Sequence, residues 1–304
     1  MPVPAAYLAV IAIWSTTPLG IQWSTLGSSF SFAVMARMLI GLAVCGALLL
    51  AWRVRMPFHH AARAVYAAGG LTLAASMLCT YWGAQHIPSG LISVIFGLSP
   101  LATGVFATLW LREHTLTPLR LSGLALGIAG LWVIFGQPWP GDGDATAGTA
   151  AVLAGMTIQA LGLVWIKRIV TQHGQAQVSA LAITAGTLTV AAPLFVLAWL
   201  VFDHGQPPAQ LTPRATAAIV YLGVLGSVVG FTLYYYVIKH LDAGRVALIT
   251  LVTPVTALLL GQTLNHERIP ASGWLGIALI GTGLMLYEWQ ALRQVKARRS
   301  ERAV

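Results

Sequence analysis

YWGAQHIPSGLISVIFGLSPLATGVFATLWLRE (81–113) and YYVIKHLDAGRVALITLVTPVTALLLGQTLNHE (235–267) are two versions of one segment, 154 positions apart. In each, an aromatic helix end and a short turn lead into a long apolar run with a central proline, Pro100 or Pro254, and a closing Glu113 or Glu267. At the same offset the chain matches without a gap at Gly69/Gly223, Leu71/Leu225, Tyr81/Tyr235, His86/His240, Gly90/Gly244, Ile95/Ile249 and Gly127/Gly281. Matches of Gly, Leu and Ile are cheap in an apolar chain; Tyr, His, Pro and Glu in one register are not. The chain is therefore read as an internal duplication.

Composition sets the class. Of 304 residues, 57% are hydrophobic and 8% charged, against about 25% charged in a soluble domain. The charges lie between apolar runs of about 20 residues, the length that crosses a hydrocarbon core. Cys45 and Cys79 fall inside such runs without metal or redox spacing, and read as packing residues. The start, MPVPAAYLAV, lacks a basic n-region and a cleavage site and reads as the first span rather than a removed signal. The net charge of +9 reads as a topology signal facing anionic headgroups, not as a nucleic-acid surface.

The expected fold is an all-α integral membrane protein of ten spans, near 4–22, 31–52, 64–86, 88–111, 118–136, 147–167, 178–202, 215–238, 243–265 and 270–290. The first repeat is 4–136, a periplasmic linker 137–146, the second repeat 147–290, and a basic cytoplasmic tail 291–304. One set of loops holds Arg53, Arg55, Arg63, Arg112, Arg120, Lys167, Arg168, Lys239 and Arg245; the tail adds Arg293, Lys296, Arg298, Arg299 and Arg302. The opposite set holds Arg214 and Arg268, so both termini are expected in the cytoplasm. Five spans per repeat would invert the second half relative to the first. Inverted halves suit alternating access, because exchanging their conformations exchanges the open side.

The paired segments, with Trp14-Ser15 and the intramembrane Arg37, resemble the EamA-type repeat of the drug/metabolite transporter superfamily from about residue 5 to 290. That resemblance implies a ten-helix carrier whose cavity is lined by the first, third, fourth, sixth, eighth and ninth helices. It also implies a bacterial inner membrane and export of small solutes, without naming the solute.

Candidate residues follow from span position. Pro18, Pro100 and Pro254 remove backbone donors and free the carbonyls of Trp14, Phe96 and Thr250; they are hinge candidates. Ser99 and Thr253 stand beside two of them. Trp14 and Gln159, equivalent when the first and sixth spans are aligned, are the leading cavity candidates. Tyr81, Gln85, Phe96, Ser99, Tyr235 and Thr250 complete the set, although Tyr81, Trp82 and Tyr234 to Tyr236 also suit an interfacial aromatic belt. Glu113 and Glu267 at helix ends read as caps or gate residues. Arg37 could snorkel outward, bond helix-end carbonyls or face an anionic solute, and a structural role is favoured. His86 and His240 read as exposed helix-end residues.

No GxxxxGK[ST], HExxH or GxSxG run is present, which argues against an ATP-driven pump and an intramembrane hydrolase. The expected function is secondary transport of small neutral or zwitterionic metabolites, amino acids among them, without catalytic residues, cofactor or metal. Its partners are the solute and membrane lipid, with no nucleic acid; the oligomeric state is left open, a monomer being compatible. The alternatives are amphipathic-cation efflux by proton antiport and a ten-helix receptor or enzyme. No Asp or Glu lies mid-span, which favours gradient-driven movement over proton exchange.

Overall fold

The computed structural model describes residues 2–112, 117–135, 144–172, 178–241, 243–269 and 271–301. Among these residues there are helices and no strand. In order they are α1 (Val3–Ser24), α2 (Phe30–Ala51), α3 (His60–Gly83), α4 (Ser89–Gly97), α5 (Ser99–Leu111), α6 (Pro118–Phe135), α7 (Ala145–Gln172), α8 (Ala180–Phe202) and α9 (Pro213–Tyr221). A π-helical stretch (Leu222–Val229), α10 (Gly230–His240), α11 (Ala243–Asn265) and α12 (Ala271–Glu301) follow.

Several helices begin where a side chain satisfies one of the first orphan N–H groups. Ser29, Ser179 and Thr212 accept from Phe32, Ala182 and Ala215 at 3.1, 3.2 and 3.1 Å. Pro213 follows Thr212 at the first helical position, where its missing donor costs nothing.

Eight helical stretches are long and apolar enough to cross a membrane, and α6 holds a shorter one, Pro118–Ile134. The expectation of ten is thus not met by length and composition among the described residues; α12, whose apolar part is diluted by Gly, Ser and Thr, is not among the eight. The outer surface is apolar: Leu50, Trp132 and Leu109 are 81%, 80% and 73% exposed. Large apolar side chains facing outward at this level belong in lipid.

The two matched prolines behave differently. The fourth expected span is interrupted at Leu98, two residues before Pro100, whereas α11 runs through Pro254 unbroken. Gly97 immediately precedes the break, and the ring of Pro254 packs on Gly97, 3.2 Å from where a Cβ would sit. The eighth expected span carries the π-helical stretch, a rare geometry that frequently occurs at functional sites.

The main helix contacts exchange under the duplication. α1 lies against α9, α10 and α11, and its counterpart α7 lies against α3, α4 and α5. α2 packs on α8, α4 on α11 and α6 on α12. Each of these last contacts joins an element to its own image, as a two-fold relation between halves requires.

Candidate functional site

Trp14 sits half-buried on α1, one turn before Pro18. Its ring lies 4.6 Å from Tyr234 and edge-on to Phe231 at 6.3 Å, both on α10. Its Nε1 is 3.4 Å from the point where a Cβ on Gly230 would stand, an ordinary packing distance. Hydroxyls line the same stretch of α1. Ser15, buried, bonds Thr256 of α11, and Thr16 lies 2.5 Å from the Tyr221 hydroxyl.

Gln159 occupies the matching place in the other half. Its Oε1 accepts from Ser76 of α3 at 3.4 Å. Ser76 and Gly230 are themselves 154 positions apart, so Trp14 on Gly230 and Gln159 on Ser76 are one contact repeated. The structure puts the two leading candidates on different helix pairs, α1–α10 and α7–α3.

Arg37 neither snorkels nor meets helix-end carbonyls. It is 5% exposed, its Nε donates to Ser227 Oγ at 3.0 Å, and its Nη1 donates to the Tyr81 hydroxyl at 3.3 Å. Tyr81 is fully buried beneath it, with Arg37 Cζ 5.9 Å from the ring centroid. Tyr81 is therefore a core partner of Arg37 and no part of an interfacial belt.

At the end of the bundle where α1 and α11 finish, polar groups tie four helix ends together. Glu267 accepts the N–H groups of Ser89 and Gly90 at 3.0 and 3.3 Å, capping α4 from a different repeat. A carboxylate on a helix N-terminus meets both unsatisfied donors and the positive end of the dipole. Asn265 donates to Glu267 Oε1 and to Gln22 Oε1, each at 3.0 Å. Gln22 donates to the Ile87 carbonyl at 2.6 Å, and Trp23 donates to Asn265 Oδ1 at 3.1 Å. Arg214 stacks over Trp23 at 4.4 Å. Gly261 leaves room for the carboxylate, since a Cβ there would stand 2.3 Å from Glu267 Oε2. The turn into Glu267 is made by His266 in the left-handed region, φ 52°, and its match Arg112 has φ 55°. Both repeats thus end this helix on a non-glycine left-handed residue followed by Glu.

The remaining candidates are scattered. Gln85 is exposed past the end of α3, donating to the Trp82 carbonyl at 3.3 Å. Phe96 and Ser99 are half-buried on either side of the Leu98 break, and Thr250 is half-buried on α11. His86 stacks on Trp82 at 4.7 Å and His240 on Tyr236 at 4.3 Å. Glu113 and the side chain of Tyr235 lie outside the described residues. Sequence reasoning missed Gln22, Asn265, Ser227 and Thr256. For Gln22, Asn265 and Thr256 the available signal was an amide or hydroxyl a few residues from Pro18, Glu267 and Pro254; for Ser227 there was none.

The EamA-like transporter family model matches residues 3–136 and 146–289, which brackets both repeats. A protein of Streptantibioticus cattleyicolor named "Probable terminal-alkyne amino-acid exporter" is 29% identical over 241 residues, 79% of this chain and 77% of its own. The "Uncharacterized inner membrane transporter YedA" of Escherichia coli K12 is 25% identical over 298 residues, covering 94% and 90%. The "Probable amino-acid metabolite efflux pump" of the same strain is 27% identical over 206 residues, covering 66% and 67%. A solved crystal structure superposes with a TM-score of 0.63 at 22% identity, over 96% of this chain and 98% of that one, and shares the fold.

Proposed function

We propose, from the premise that this chain belongs to the EamA-like transporter family, that it exports small neutral or zwitterionic metabolites across a bacterial inner membrane by alternating access. Amino acids lead the substrate class: two relatives carry names of amino-acid or amino-acid-metabolite export, and the Trp14 seam offers rings and hydroxyls with little fixed charge. The reading counts α4 with α5, and α9 with the π stretch and α10, as single columns, giving ten spans in two inverted halves. Both termini then face the cytoplasm, and the latch at Glu267 faces the periplasm.

The observation that carries it is the closure at the Glu267 end of the bundle. The Glu267 latch binds α1, α4 and α11 at one end of the bundle. α1 packs on α4 there, and the image contact, α7 on α11, is not among the main contacts of the described residues. A carrier closed on one side, with matched residues for the other, has the ingredients of an exchange between two states. In that exchange Glu113, the match of Glu267, caps the start of α11 when the cytoplasmic side closes. The solute gradient supplies the driving force, since no carboxylate lies mid-span.

Counterflow in proteoliposomes preloaded with neutral amino acids tests the reading. Exchange is expected with equal pH on both sides. Concentrative uptake driven by a pH gradient alone, and abolished by Glu113→Gln or Glu267→Gln, would replace it with proton antiport. Absence of exchange for every amino acid offered would remove the substrate class.

A further inference from the structure

Arg37 is a buried cation with no counter-ion among the described residues, and we infer that it is the seat for the carboxylate of the solute. The inference deepens the transport reading and rests on it for its physiological use, but the binding chemistry can be measured without transport.

The chain holds eight Asp and Glu, and among the described residues the polar partners of Arg37 are Ser227 and Tyr81, both neutral. A charge held away from water and lipid headgroups costs at least about 2.5 kcal/mol, and leaving it uncompensated in a protein interior costs more. Were Arg37 there only to pack, an apolar side chain of similar volume would serve as well or better. A guanidinium presents five N–H donors in a planar fork. Two are used here. Nη2 has no protein partner among the described residues, yet it is not fully enclosed as Ser89 Oγ is. It therefore borders accessible space.

That space is kept open by Gly226. A Cβ there would stand 3.5 Å from Nη2 and no nearer than 3.4 Å to any other atom. The fork is thus anchored on its Nε and Nη1 side by hydroxyls, while Nη2 lies beside Gly226 with no bond among the described residues. A carboxylate accepting from the two terminal nitrogens would offset the buried charge with short, charge-assisted bonds. Both Gly226 and Ser227 belong to the π-helical stretch, whose extra residue per turn sets them toward α2. Further along the same column, three residues past Ser227, Gly230 meets Trp14 beside Phe231 and Tyr234. A zwitterion held at Arg37 by its carboxylate has aromatic faces ahead of it, which attract an ammonium group.

The test uses purified full-length protein in detergent and two probe pairs: L-leucine with L-leucinamide, and L-phenylalanine with L-phenylalaninamide. Thermal shift and calorimetric titration read binding, with sodium chloride alone as a separate arm. The acids are expected to bind at least about thirtyfold more tightly than the amides, the worth of one or two charge-assisted bonds. Arg37→Met should abolish that preference and Arg37→Lys should keep part of it. Because Arg37→Met removes a buried residue that the fold has bonded, Gly226→Ala is the second variant. Its methyl clashes with nothing, covers Nη2, and should cut the preference about tenfold with the melting temperature unchanged or raised. Equal binding of acid and amide, no response to either acid, an unchanged preference in Gly226→Ala, or chloride stabilising as well as the acids would each overturn the inference. Selective binding of the acids without counterflow would instead defeat the transport reading and leave the seat standing. Counterflow without acid preference would do the reverse.

Discussion

Removing the Glu267 carboxylate should unfasten one end of the bundle while leaving the helices folded. In the structure Glu267 accepts two backbone N–H groups of α4 at 3.0 and 3.3 Å and an amide N–H of Asn265 at 3.0 Å. A hydrogen bond to a charged group contributes about 1.5–3 kcal/mol in a protected site, and a carboxylate on a helix N-terminus about 0.3–1 kcal/mol when exposed. Glu267 is half-buried and its site borders water, so about 2 kcal/mol for the whole latch is a reasonable central value. At about 1.4 kcal/mol per factor of ten, Glu267→Ala should favour the unlatched state by roughly thirtyfold. Glu267→Gln keeps an acceptor oxygen and loses the charge, so its shift should be smaller, roughly fivefold. A single cysteine at Thr253, buried on α11 beside Pro254, reports the change when Cys45 and Cys79 are replaced by Ala. A membrane-impermeant thiol reagent added from the periplasmic side should label it faster in the order wild type, Gln, Ala. Equal labelling rates in all three proteins, with correct insertion, would refute the idea that this network closes the path.

Trp14→Ala should weaken transport more than Gln159→Ala: the first loses a ring pair worth about 0.5–1.5 kcal/mol plus its buried area, the second one long hydrogen bond. Counterflow rates with membrane insertion checked by blotting decide it, and normal kinetics in both variants would remove them from the path. The double variant Pro100→Ala, Pro254→Ala should slow turnover without lowering the melting temperature, because Ala at 254 supplies a mid-helix donor and Pro100, in the first turn of α5, sacrifices no helix bond; unchanged turnover would leave the prolines a packing role. A reporter active only in the periplasm, fused after Val304, should stay silent, and strong activity there would overturn both the topology and the inversion.

The duplication, the membrane class and the positions of the prolines were legible in the sequence because each is a one-dimensional property. A span needs only enough consecutive apolar residues, and a repeat needs only one register. The 154-residue offset recovers even the left-handed ends at Arg112 and His266, though neither is a glycine and neither could be named beforehand. The sequence treated Pro100 and Pro254 alike; only the structure separates them, with a break at Leu98 after Gly97 before the first and an unbroken α11 through the second. Partner choice was not legible. Arg37 meets Ser227 across 190 positions, and Glu267 caps a helix that begins 178 positions earlier. A buried charge or a bare helix end must be answered by whatever polar group packing brings within about 3 Å. Apolar length decides that these helices enter the membrane. Only their packing decides which groups, once shut off from water, have to satisfy one another.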